Sequence, residues 1–330
     1  MIWLGTVQIA TEDGLHLVTI PVVTRALVFL LSGLVGSLAN PLHSFAGEDF
    51  PRATIVKVQA YYPHGKVTKG SAVLLGADRL VTNCHVTAPP HDFGVVHNGR
   101  VWRAEIETQD AVRDICILKV PGIAGTNANP SKSLTVGQKV YASGYFGGNH
   151  LAVSEGRIVA LHDYDGAKVI QVSAPFDTGA SGGGLFDEDG QLIGILTFKA
   201  RIGGAFHFAL PVEWLSHEDR AGSERHAVAI ATPAFWQRPA EKQPFFLRAI
   251  TLELNQKWDA LAALGEHWTQ VSPLNPRAWI TLETALHHLQ RVDEAISARG
   301  NAQRLGLVPA RQELATVHMG NRGNRGDSVP

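Results

Sequence analysis

Ser181 stands in the run Asp177-Thr178-Gly179-Ala180-Ser181-Gly182-Gly183-Gly184. Glycines on both sides of a lone hydroxyl let the chain turn sharply and bring neighbouring amides to one point. Such a turn can present a nucleophile and, through the amides of Gly179 and Ser181, an oxyanion hole. A serine hydroxyl is a poor nucleophile at neutral pH, so this chemistry also needs a base and a group that orients the base. Two upstream segments supply those residue types. His85 ends the run Leu80-Val81-Thr82-Asn83-Cys84-His85, where an apolar strand gives way to a turn, and Asp114 opens the apolar strand Ile115-Cys116-Ile117-Leu118. Taken singly, each has a plainer reading: an idle serine in a glycine-rich hairpin, one surface or core histidine among 15, and a turn aspartate accepting from nearby amides.

The elements that must position these residues read as closely spaced strands. Apolar or alternating runs at residues 54–60, 71–75, 79–82, 101–106, 115–120 and 139–143 are followed by others at 151–161, 169–173, 192–198 and 206–210. Gly, Asp, Asn and Pro bound these runs, and helical periodicity is almost absent, which predicts all-β barrels or sandwiches.

With its flanks, the nucleophile segment reads Gly-x-Ser-Gly-Gly and continues Leu185-Phe186-Asp187 to Gly190-Gln191-Leu192-Ile193-Gly194-Ile195. It resembles trypsin-like serine proteases, most closely the bacterial Deg/HtrA type. The order His85, Asp114, Ser181 is that of the chymotrypsin-type triad and not of the subtilisin or α/β-hydrolase triads. The resemblance implies two six-stranded antiparallel β-barrels with the active site between them, His85 as base, Asp114 as its orienting group, and the amides of Gly179 and Ser181 as the oxyanion hole. It implies no metal and no organic cofactor. Ala180 occupies the place where digestive trypsins carry the aspartate that captures a newly cut N-terminus, so that activation switch cannot operate. The resemblance also puts the primary specificity pocket near Pro175, Phe198 and His207. Pro175 stands where trypsins place their acidic selector, and a small or aliphatic side chain is the expected preference.

The cysteines, Cys84 and Cys116, each lie beside a triad residue. If His85 and Asp114 touch, a disulfide is within reach in an oxidising compartment; two buried free thiols are the alternative. Upstream, Arg25 precedes an apolar run at residues 26–39, with small residues at Ser44 and Ala46. This shape predicts an export signal over residues 1–46, cleaved after Ala46, with a retained membrane anchor as the alternative. Glu12 and Asp13 are unusual ahead of such a signal. The expected location is periplasmic or secreted.

After the protease domain expected at residues 47–218, residues 219–244 read as a linker. Residues 245–310 then show helical periodicity, with Phe245 and Trp279, and Trp258 and Val292, aligned at an offset of 34. The second unit, with Trp279, Leu282, Ala285, Leu286, Ala295 and Ala302, resembles tetratricopeptide repeats. Two repeats are fewer than usually stand alone, which predicts docking on the protease or self-association, with a protein partner as one role for the module. Residues 311–330, rich in Gly, Asn and Arg, read as a flexible tail. Over all 330 residues the composition is 45% hydrophobic with a formal net charge of −1, so the electrostatic footprint of a nucleic-acid binder is missing. A polypeptide substrate is the partner the motifs imply. The rival reading is a catalytically idle β-barrel that binds peptides while its helical repeats recruit a protein.

Overall fold

The structure is a computed structural model that describes residues 4–11, 14–21, 52–61, 65, 67–87, 92–200, 206–215 and 232–306. The chain divides into two compact units, Met1–Ser44 and Phe45–Pro330. In the first, strands β1 (Leu4–Thr11) and β2 (Gly14–Pro21) form an antiparallel hairpin. The expected signal core at residues 26–39 and its cleavage site lie outside the described residues, as do the first half of the expected linker, residues 219–231, and the tail.

The second unit begins with an antiparallel sheet of seven strands: β3 (Ile55–Tyr61), β4 (Val67–Gly76), β5 (Arg79–Thr82), β6 (Asp92–His97), β7 (Arg100–Arg103), β8 (Glu105–Asp110) and β9 (Ile115–Lys119). Their order is β7-β6-β3-β4-β5-β9-β8. Between β5 and β6, α1 (Cys84–Thr87) is a single helical turn. The first of the two expected barrels is thus a half-barrel sheet, open between β7 and β8. The physical difference is small: β7 and β8, the two edges, are separated in the chain only by Ala104, which is buried in the core. One interrupted run of chain thus pairs with β6 through its first half and with β9 through its second. Period-2 alternation sorts the side chains, with Val56, Val58, Ala72, Leu74, Leu80 and Leu118 filling one core and Ile55, Val73, Val81, Ile115 and Ile117 turned to another.

A closed six-stranded barrel follows, ordered β10-β11-β12-β15-β14-β13. Its strands are β10 (Lys139–Phe146), β11 (His150–Tyr164), β12 (Ala167–Val172), β13 (Gly184–Phe186), β14 (Leu192–Ala200) and β15 (Phe206–Pro211). Val140, Ala142, Ile158, Ile170, Leu185, Leu196 and Ala209 fill its interior. The opposite faces of β12, β14 and β15 carry Val169, Phe198, Phe208 and Leu210, apolar side chains that a solvated barrel would not present.

Four helices account for them. These are α2 (Phe245–Leu254), α3 (Trp258–Val271), α4 (Pro276–His288) and α5 (Val292–Arg304), and α3 and α5 begin at Trp258 and Val292, on the offset of 34 read from the sequence. Asn275 caps α4, its side chain accepting from the Arg277 amide at 2.9 Å, with Pro276 at the first helical position. Gly265 lets α3 and α4 approach, since a Cβ there would lie 2.9 Å from Leu282 Cα. Phe246 of α2, with Phe235 ahead of it, joins the core formed by Phe198, Phe208 and Leu210. Each of these rings contributes about 2–3 kcal/mol by burial. The described end of the expected linker, residues 232–244, is thus part of the packed unit: Ala234 and Phe235 are buried, and the Phe235 amide donates to Val112 O at 2.9 Å.

Candidate active site

Asn83 precedes α1 and ties the imidazole-bearing turn to both neighbouring strands, its Nδ2 donating to Asp114 O at 2.9 Å and to Thr197 Oγ1 at 3.0 Å. Cys84 and Cys116 form a disulfide with Cα atoms 5.0 Å apart, closing the loop that carries His85 onto the strand that Asp114 opens. Asp114 adopts a left-handed backbone, φ 62°, which aspartate tolerates better than most residues. That turn aims its carboxylate back at His85. Oδ1 accepts the His85 amide at 2.9 Å and Oδ2 lies 2.7 Å from Nδ1. Because an ionised carboxylate only accepts, Nδ1 carries the proton and Nε2 is left as the basic nitrogen. Asp114 is 1% exposed while the His85 side chain is 27% exposed, so the ring is open to a reactant and its orienting group is not.

The nucleophile turn hangs from the first sheet. Ser71 of β4 donates its amide to Ser181 O and its hydroxyl to Gly179 O, both at 2.8 Å, and its Oγ accepts the Tyr145 amide at 2.8 Å. Thr82 Oγ1 donates to Ser71 O at 2.7 Å. Gly182 is required at this junction, because φ is +85° and a Cβ would meet Ser71 O at 2.0 Å. Along the turn, the amide of Thr178 donates to Asp177 Oδ1, Ala180 to Asp177 O, Gly182 to Leu196 O and Gly183 to Ala180 O. The amides of Gly179 and Ser181 donate to nothing among the described residues, so the two groups expected to form an anion hole remain available. Ser181 Oγ donates to Thr197 O at 3.0 Å, and no hydrogen bond joins it to His85 among the described residues. Ala180 is fully buried against Gly144, where a Cβ would lie 3.0 Å from Ala180 Cα. A carboxylate has no room there.

The three expected pocket residues do not converge. Pro175 is exposed, its carbonyl accepting from Ser154 Oγ at 2.5 Å. His207 is buried with its ring 4.7 Å from that of Phe176 and Nε2 3.0 Å from Phe176 O. Phe198 faces away from both, stacked on Phe208 with centroids 4.7 Å apart. The reason is strand alternation: His207 and Phe208 are neighbours on β15 and point to opposite faces. At the other side of the turn, Lys199 Nζ lies 2.5 Å from Asp177 Oδ1. That hydrogen bond, helped by the Thr178 amide, holds the Asp177 carboxyl down at about 2.

Two participants escaped the sequence reading. Ser71 was visible only as a flank of the histidine segment. Trp236 sits in the stretch read as linker, yet its indole meets the site: ring centroids lie 5.5 Å from His85, edge-on, and 5.0 Å from Phe198, stacked, and Nε1 donates to Asp114 Oδ2 at 3.2 Å. The adjacent aromatics Phe235-Trp236 in an otherwise polar segment were its one sequence signal.

Known proteins are similar to this chain over the region that holds these residues. Residues 70–195 match the family model of the trypsin-like peptidase domain. The chain is 29% identical over 168 residues to serine protease Rv3671c of Mycobacterium tuberculosis, covering 46% of this chain and 41% of that protein. It is 30% identical over 192 residues to a probable periplasmic serine endoprotease, DegP-like, of Chlamydia pneumoniae, covering 54% and 39% respectively. The crystal structure of the active form of the Rv3671c protease superposes with a TM-score of 0.47 at 25% identity, covering 50% of this chain and 79% of that one. The chain therefore spans about two fifths of the length of these curated relatives.

Proposed function

We propose that this chain, whose residues 70–195 match the trypsin-like peptidase domain, is a serine endopeptidase acting on polypeptides through Ser181, His85 and Asp114. Rotation about the Ser181 Cα–Cβ bond takes Oγ from Thr197 O to His85 Nε2. His85 accepts the proton as Oγ attacks the scissile carbonyl and returns it to the leaving amine, while Asp114 holds the Nδ1 proton and stabilises the imidazolium. An acyl-enzyme on Ser181 follows, and water releases it by the same steps. The observation that carries this reading is the selective engagement of the nucleophile turn, in which the amides of Thr178, Ala180, Gly182 and Gly183 are bonded and those of Gly179 and Ser181 are left to receive an oxyanion. Each such donor contributes about 3 kcal/mol to the transition state in comparable sites.

The wider layout belongs to the same proposal. Residues 1–46 direct export, residues 47–218 form the protease, and the helices within residues 245–310 are a tetratricopeptide-like module able to take a protein partner. A periplasmic or secreted location is supported by the Cys84–Cys116 disulfide and by the word periplasmic in the name of the Chlamydia relative. A fluorophosphonate probe and a casein digest test the enzyme reading. Wild-type protein labels and cleaves, and Ser181→Ala does neither while keeping its thermal midpoint. A folded wild-type protein that never labels would instead favour the peptide-binding adaptor.

A further inference from the structure

Asp114 Oδ2 accepts two hydrogen bonds, from His85 Nδ1 at 2.7 Å and from Trp236 Nε1 at 3.2 Å. The hydroxyl that could have served this carboxylate from the strand after the nucleophile is committed elsewhere, since Thr197 Oγ1 donates to Ile195 O at 3.0 Å and accepts from Asn83 Nδ2. With Asp114 1% exposed, water is a poor substitute for the indole.

Trp236 does not belong to the barrels. It lies in the short segment that enters the helical module, and both of its flanks are anchored. On one side Phe235 is fully buried, its ring 4.6 Å from that of Tyr164. On the other, Gln243 Nε2 donates to Trp236 O at 3.0 Å and to Arg238 O at 2.8 Å, closing the turn, and Phe246 stacks on His162 at 4.5 Å. Stacking on Phe198 fixes the plane of the indole, and within that plane its N–H meets the carboxylate.

We propose that Trp236 is a positioning residue for the triad, supplied by the segment that docks the helical module, and that it holds the Asp114 carboxylate in the plane of His85. This rests on the endopeptidase reading for its consequence in rate, though not for the contact itself. Two donors on Oδ2 leave the carboxylate one orientation and take up part of its charge. With the indole donor gone, more of the charge falls on the imidazole, which favours the protonated ring, and the carboxylate, still bonded at Oδ1 by the His85 amide, is held less firmly in the plane of the ring. Docking of the helices and competence of the base are then one structural event, since helices that leave the barrel carry the donor away with them.

Trp236→Phe in the full-length protein tests this, because it removes the N–H and keeps a ring to stack on Phe198. The expected result is a fall in kcat on the order of tenfold with KM unchanged within about twofold, as for loss of a hydrogen bond to a charged group. The acid limb of the kcat/KM profile should move to higher pH, and the low-field Nδ1 proton resonance of His85 should shift downfield. Packing alone would lower thermal stability and leave the acid limb and the resonance in place. If Trp236→Phe does not fold, Gln243→Ala, which frees the Trp236 carbonyl, should give smaller changes in the same direction. A labelled, active wild type whose variant keeps its kcat, acid limb and resonance overturns the proposal, as does a change confined to KM. A wild type that neither labels nor cleaves refutes the protease reading, and the shift of the resonance then decides the contact on its own.

Discussion

Acid should loosen the seam between the second barrel and the helices, through His162. This residue of β11 is buried, its ring stacked on Phe246 of α2 at 4.5 Å and 6.1 Å from Phe208. Nε2 lies 2.8 Å from Gln171 Oε1, an acceptor, so Nε2 bears the proton of the neutral ring. A second proton would have to go on Nδ1, which is buried without a hydrogen-bond partner among the described residues. Burial, and then the Arg277 guanidinium, push the imidazole down to about 3, with the Gln171 bond and Asp163 opposing. In the unfolded chain the ring titrates near its ordinary 6.5. Between these values the unfolded state binds the extra proton, so the stability His162 contributes is fully present above pH ~6.5 and is lost as pH falls toward ~3. At pH 5 the loss works out at about 2 kcal/mol relative to pH 8. Denaturant unfolding of wild type and His162→Leu at both pH values measures it, with other titrating groups cancelling in the comparison. The leucine variant should be weaker at pH 8 by about 1–2 kcal/mol, because Gln171 loses its donor. It should then lose about 2 kcal/mol less than wild type on going to pH 5. Equal losses in the two proteins would refute the reasoning.

Two further outcomes follow from the site. Removing the disulfide with Cys84→Ala and Cys116→Ala opens a loop of 32 residues, and should lower stability by about 4 kcal/mol in the chain-entropy account. An unchanged unfolding midpoint would count against it. Ser71→Ala removes the hydroxyl that bridges Gly179 O and the Tyr145 amide, loosening the Gly179–Ala180 peptide that lies between the amides of Gly179 and Ser181. Turnover of a peptide substrate should fall on the order of tenfold or more with KM little changed, and a wild-type kcat would exclude Ser71 from positioning the proposed anion hole.

The candidate residues could be picked out of the sequence because each sits in a local pattern with its own physical cause. Ser181 needs glycines around it, since Gly182 has φ +85° and no space for a Cβ, so the turn advertises itself. His85 and Asp114 stand at the ends of apolar strands, and the alternation that buries those strands places them. The helices were legible for the same reason, and α3 and α5 begin where the repeat offset puts them. Pairing was not. That β7 and β8 are the two edges of one open sheet depends on which partners each half of a continuous run finds, and residue type at Ala104 does not encode a partner. Strand parity leaves the orientation of His207 open too, because the choice between His207 and Phe208 as the inward residue is settled only by what covers each face.

The sequence by itself singled out Ser181, His85, Asp114 and the amides of Gly179 and Ser181 as the candidate site, because local backbone geometry and short-range spacing mark them. Tertiary structure alone decided that Ser71 holds the Gly179 peptide across a separation of 108 residues and that Trp236 reaches Asp114 across 122. Contacts so distant in the chain leave no periodicity to read. The second exists because the aromatic face of β14 and β15 must be buried, and the segment that buries it brings the indole to the carboxylate.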